Sequence, residues 1–146
     1  MPSELFNLAN YHFNPYAIPT LVSGVAIIAL GFIVFVGERN SRVSLSFFIM
    51  TVTAAIWLFC YSLMYCSVVA HVASTWAVIG QLGITSIPAA VYHFTVGTLE
   101  IYSKHKNRVR LGWLVSGFFF VTALYSDVFI SGVNLFWWGY YARYEW

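Results

Sequence analysis

AIPTLVSGVAIIALGFIVFVGERNSR (residues 17–42) sets an unbroken apolar run, Ala17 to Val36, directly before a short segment holding Arg39 and Arg42. At about 1.5 Å per residue the run makes a helix of about 30 Å, the thickness of a bilayer's hydrocarbon core. A secretory signal peptide carries a basic leader. Here the only charged side chain upstream is Glu4, and Arg39 is the first Lys or Arg. The stretch therefore reads as a retained membrane helix.

Three further stretches have the same character: Val43 to Val69, Ala73 to Ile101 with Glu100 near its end, and Leu111 to Ser131 with Asp127. The 146 residues are 60% hydrophobic and 8% charged, against about 25% charged in soluble domains. A domain of this size leaves too much surface exposed to hide that composition from water. Membrane β-strands are about 10 residues long and alternate in polarity, which these runs do not. The expected fold is an all-α integral membrane protein with four transmembrane helices. It divides into an external N-terminal segment (1–16), a four-helix transmembrane domain (17–131) and an aromatic external tail (132–146).

Charge placement sets the expected orientation. Six of the seven Lys and Arg fall in two short connections: Arg39 and Arg42 in GERNSR, and Lys104, Lys106, Arg108 and Arg110 in SKHKNRVR. Basic loops stay in the cytoplasm. The N-terminus, the VAHVAS turn and the tail then lie outside, so both termini face the periplasm of a bacterial inner membrane. The basic loops read as topology signals and not as a nucleic-acid surface.

Asn14-Pro15 reads as a helix start, with Pro19 also in the first turn. Gly24 and Gly31, seven residues apart, share a face; they either permit close helix approach or are merely tolerated in lipid. The second helix is expected to start at Asn40 or Ser41 and to carry Trp57 at mid-depth. Cys60 and Cys66 are about 600° apart around a helix, so they form neither a disulfide nor a paired metal site. Trp76, Trp137, Trp138, Tyr140 and Tyr141 fall at the outer boundary with Tyr11 and Tyr16; Tyr102 and Trp113 fall at the inner one. Such rings suit the headgroup layer, and bound lipid is expected. A stacking platform for a carbohydrate or quinone is the alternative for the tail.

Polar groups within a membrane are costly and are the natural site candidates. By helical rise, Tyr61, Gln81 and Asp127 reach similar heights near the outer face. They form either a ligand or proton site or an interhelical clamp. Pro88 is expected to kink the third helix, with Thr85 or Ser86 serving the freed carbonyl and Tyr92 and His93 nearby. His93 reads as a hydrogen-bonding histidine; a pigment or haem ligated by it is the alternative. No histidine lies at matching depth for a bis-histidine haem, and no metal site or other cofactor is expected. No nucleophile elbow, phosphate loop, metal helix or catalytic carboxylate pair is present, so the chain reads as no enzyme.

Several segments, in order, resemble the N-terminal seven-helix membrane region of bacterial sensor histidine kinases. Asn14, Pro15 and Tyr16 stand before the first helix and Trp57 in the middle of the second. Trp76, Ile87, Pro88, Tyr92, His93 and Phe94 stand along the third, and Trp138, Gly139, Tyr140 and Tyr141 follow the fourth. The resemblance covers nearly the whole chain. It implies that the tail corresponds to the external link between helices 4 and 5 of a seven-helix region. It does not carry kinase activity over, because this sequence holds no phosphoacceptor or nucleotide-binding domain. The implied function is a non-enzymatic, membrane-embedded sensory module that binds or relays through protein contacts. The alternative is an accessory subunit of a larger membrane assembly, photosynthetic or respiratory. The expected partners are membrane lipids and other membrane protein subunits.

Overall fold

The computed structural model describes residues 2–39, 41–125 and 130–144. A single turn, α1 (Pro2–Leu5), and two 3-10 turns (Leu8–Asn10 and Pro15–Ala17) lead into four long helices. These are α2 (Ile18–Gly37), α3 (Arg42–Cys66), α4 (Ala70–Thr98) and α5 (Tyr102–Tyr125). Strands β1 (Gly132–Phe136) and β2 (Gly139–Arg143) follow.

Local chemistry explains the boundaries. Asn14 caps the turn before α2, its side chain accepting from the Tyr16 amide, and Pro19 sits in the first turn of α2 where its missing N–H costs nothing. Ser41 caps α3, its Oγ accepting from Ser44 N at 3.4 Å. The link to α4 is only Ser67–Val69, so Ala70 to Ser74 of the expected VAHVAS turn are already helical. α4 runs as one α-helix through Pro88. Neither hydroxyl expected at the carbonyl freed by Pro88 serves it. Thr85 Oγ1 donates to Gln81 O at 2.8 Å, and Ser86 Oγ pairs with Ser116 Oγ on α5 at 3.1 Å.

α4 ends in a Schellman turn. Ile101 N donates to Val96 O and Glu100 N to Gly97 O, the bond pattern that closes helices around a left-handed residue. That residue is Glu100, with φ +58°.

α2, α3 and α4 are long and apolar enough to cross a membrane. α5 differs from the expected fourth span. The basic segment SKHKNRVR is not a loop but the first turns of α5, which begins at Tyr102. Lys and Arg are good helix formers and no Pro or Gly interrupts the segment. Its apolar part within the helix, residues 111–125, extends about 22 Å; residues 126–129 lie outside the described residues.

The long helices pack in chain order, α2 on α3, α3 on α4 and α4 on α5. Among the described residues, helix packing beyond isolated contacts follows this row, and α2 and α5 do not pack together to close it into a bundle. Small residues set the spacing. Gly24 and Gly31 are the two buried residues of α2, and a Cβ on Gly31 would stand 1.9 Å from Thr51 Oγ1 of α3. On α4, a Cβ on Gly83 would stand 2.6 Å from the Thr53 carbonyl oxygen.

The tail departs from the all-α expectation. Residues 132–143 form an antiparallel hairpin in which Phe136 pairs with Gly139 and Gly132 with Arg143, turning at Trp137 and Trp138. A lone hairpin is marginal in water. This one leans on the helix ends: Ile130 and Ala142 are buried with Tyr61, Met64, Ala73 and Ala77. The N-terminal segment meets the same end, with His12 N donating to Cys66 O and Val68 N to Asn10 O, both at 2.9 Å. Both described terminal segments therefore share the hairpin end, and Arg39, Arg42 and the α5 basic residues share the other, basic end.

Candidate functional site

The hairpin end is a network of rings and amides. Asn14 is 5% exposed. Its Nδ2 donates to Tyr65 O at 2.8 Å and to Trp138 O at 2.7 Å, while Oδ1 accepts from Tyr16 N at 3.0 Å. Three segments distant in sequence are thereby held by one amide. Gly139 lies against it: φ is +128°, and a Cβ there would stand 2.9 Å from both Asn14 Nδ2 and Tyr65 O.

The outer-boundary aromatics named from the sequence gather here. Trp76 Nε1 donates to Tyr11 OH, and Tyr11 OH to Leu5 O, each at 2.7 Å. Trp138 stacks on Phe136 with centroids 4.7 Å apart, and Trp137 meets Tyr16 edge-on at 5.0 Å. Tyr140 OH donates to Val68 O at 3.3 Å. Trp113 lies on α5, away from this cluster. His71, on the first turn of α4, pairs with Glu4.

Of the expected polar layer, Tyr61 is buried but finds a different partner. Its OH lies 2.8 Å from Tyr144 OH, and its ring meets Trp57, Tyr65 and Tyr141 edge-on. Gln81 is buried on α4 beside Gly80, which lets the Tyr61 ring lie against that helix. Asp127 lies outside the described residues. Tyr144 and Asn14 are the partners that sequence spacing did not reveal. Asn14 was legible only as a helix cap, and nothing local marks its two long-range carbonyls.

The basic end holds a second arrangement. A cleft of about 340 Å³ is lined by Arg42, Leu45, Ser46, His93, Gly97 and Tyr102. The Arg42 guanidinium sits over the Tyr102 ring, 5.7 Å from its centroid, within cation–π range. The His93 ring also neighbours Tyr102, with centroids 5.6 Å apart. Next to it, Tyr92 OH and His105 Nδ1 are 2.9 Å apart. The chemistry-bearing residue here that sequence reading took only as a topology signal is Arg42. His93 Nδ1 and Trp57 Nε1 are buried without a hydrogen-bond partner among the described residues. The described residues bring together no group of three His, Cys, Asp or Glu that would hold a metal ion.

Comparison with protein-family models, with curated proteins and with solved structures finds no match to this chain.

Proposed function

We propose that this chain is a non-enzymatic module of a bacterial inner membrane that works through helix contacts with another membrane protein. In this reading it crosses four times, α2, α3, α4 and α5 each supplying one crossing. The hairpin end faces the periplasm and the basic end faces the cytoplasm. The resemblance to the sensory region of histidine kinases makes its task a relay of an external or intramembrane event to that partner.

The observation that carries this reading is the open row of helices. α2 and α5 each have one long neighbour and present bulky apolar side chains outward, Ile33 and Phe118 both being 67% exposed. In lipid such edges are the surfaces on which helices associate by packing. The tied hairpin end supports a relay, because a displacement of the hairpin pulls on α3 through Tyr61 and on α4 through the shared core.

A photo-crosslinking residue at Phe32 on α2, and separately at Phe118 on α5, tests the reading in native membranes. Adducts with one signalling protein are expected. Adducts with several stoichiometric subunits would replace the relay by an accessory role in a larger assembly. Adducts with lipid alone would overturn both.

A further inference from the structure

We propose that the cleft at the basic end is a binding site for a single phospholipid with an anionic, hydroxyl-bearing headgroup, its phosphate held by Arg42. The inference goes beyond the partner reading and shares with it only the membrane setting of the helices.

The shape of the site is that of an amphiphile. The 340 Å³ cleft, bounded by Leu45, Gly97, the His93 ring and the Tyr102 ring, is a largely apolar slot between α3 and α4. A second cleft of about 370 Å³ continues from it, lined by Ser41, Arg42, Val43, Gly97, Glu100, Tyr102 and Ser103. The two share Arg42, Gly97 and Tyr102. The guanidinium thus stands where an apolar slot passes into a more polar one, the place a phosphate occupies between acyl chains and headgroup. Ser46 Oγ in the slot already donates to Val43 O at 2.9 Å, so it has no O–H left to offer a ligand there.

Charge selects the headgroup. At this end six basic residues (Arg39, Arg42, Lys104, Lys106, Arg108 and Arg110) face two acids, Glu38 and Glu100. Basic clusters at a membrane surface attract anionic lipid. Arg42 is exposed, held by the Tyr102 face and engaged in no ion pair with Glu38 or Glu100, which leaves its fork available for a phosphate. In the second cleft Ser41, Ser103 and Glu100 offer partners to headgroup hydroxyls. Glu100 disfavours a second negative charge there.

The test measures lipid retained by the detergent-purified chain in native mass spectrometry, after incubation with phosphatidylglycerol or with phosphatidylethanolamine. One phosphatidylglycerol per chain is expected in preference to phosphatidylethanolamine. Arg42→Ala should lower its retention about five-fold, whereas Lys106→Ala, which removes a charge outside the cleft, should leave it near the wild-type level. Gly97→Leu fills the shared wall without touching charge and should lower retention as much. Glu100→Gln should not weaken phosphatidylglycerol. Equal losses for Arg42→Ala and Lys106→Ala would mean diffuse charge attraction and overturn the site. So would undiminished binding to Gly97→Leu. Equal retention of the two lipids, with loss on Glu100→Gln, would assign the cleft to an ammonium headgroup and overturn the anionic assignment.

Discussion

Asn14 and Trp138, 124 positions apart, are joined by a 2.7 Å hydrogen bond from the Asn14 amide to the Trp138 carbonyl. The same Nδ2 holds Tyr65 O at 2.8 Å, so the N-terminal segment, the end of α3 and the hairpin turn share one side chain. Leaving buried partners unmade costs about 1–3 kcal/mol each. Asn14→Ala is expected to destabilise the protein by about 3 kcal/mol in detergent unfolding, with faster amide exchange across residues 132–143. Asn14→Asp should be worse, because a carboxylate offers no hydrogen to either carbonyl. A change under about 0.5 kcal/mol for both would remove Asn14 from its role as the tie.

Gly139 is the backbone counterpart of that tie. Its φ of +128° and the 2.9 Å approaches that a Cβ would make both exclude a side chain. Gly139→Ala should cost about 3 kcal/mol, combining strain and overpacking. Gly117 on α5 has nothing within 4 Å of its Cβ position. Gly117→Ala should be neutral or stabilising by up to about 1 kcal/mol. Equal effects at the two positions would contradict the close packing at the hairpin turn.

The Tyr61–Tyr144 pair fastens the hairpin to α3 through one 2.8 Å bond. Tyr61→Phe keeps the ring contacts and loses only that bond, so about 1 kcal/mol should be lost. Tyr144→Phe should cost the same, and the double variant no more than either single one. Additive losses in this cycle would show that the hydroxyls act separately.

Glu100 occupies a left-handed position, φ +58°, between α4 and α5. A non-glycine residue pays for that conformation, and glycine is the usual occupant. Glu100→Gly should therefore raise stability by about 1 kcal/mol, read as a higher unfolding midpoint. A lower midpoint would show that the carboxylate makes a compensating contact.

The sequence carried the helices well and their neighbours poorly. The apolar runs of α2, α3 and α4 are long enough to be read one by one, and Ser41 and Asn14 mark starts that the structure keeps. The Gly24–Gly31 spacing disclosed the face that meets α3. What sequence reading missed depends on contacts between distant segments. Residues 132–143 become a hairpin because Ile130 and Ala142 find a surface on Tyr61, Met64, Ala73 and Ala77, and no local period announces that. The basic run before Leu111 was read as a loop from its polarity, yet polarity is compatible with a helix end standing in water. Arg42 acquires a place in a cleft only through Tyr102, 60 positions along the chain.

The central claim, a membrane module with its hairpin end outside and its basic end inside, is tested most directly by labelling with a membrane-impermeant thiol reagent in intact cells. Single cysteines are placed at Leu8, 86% exposed at the hairpin end, and at Asn107, exposed on α5 at the basic end. The unaltered chain gives the background from Cys60 and Cys66. Leu8→Cys should label in intact cells, and Asn107→Cys only after the membrane is opened. Labelling of Asn107→Cys with protection of Leu8→Cys would invert the topology, and equal labelling of both in intact cells would contradict a chain that separates these two ends by a membrane.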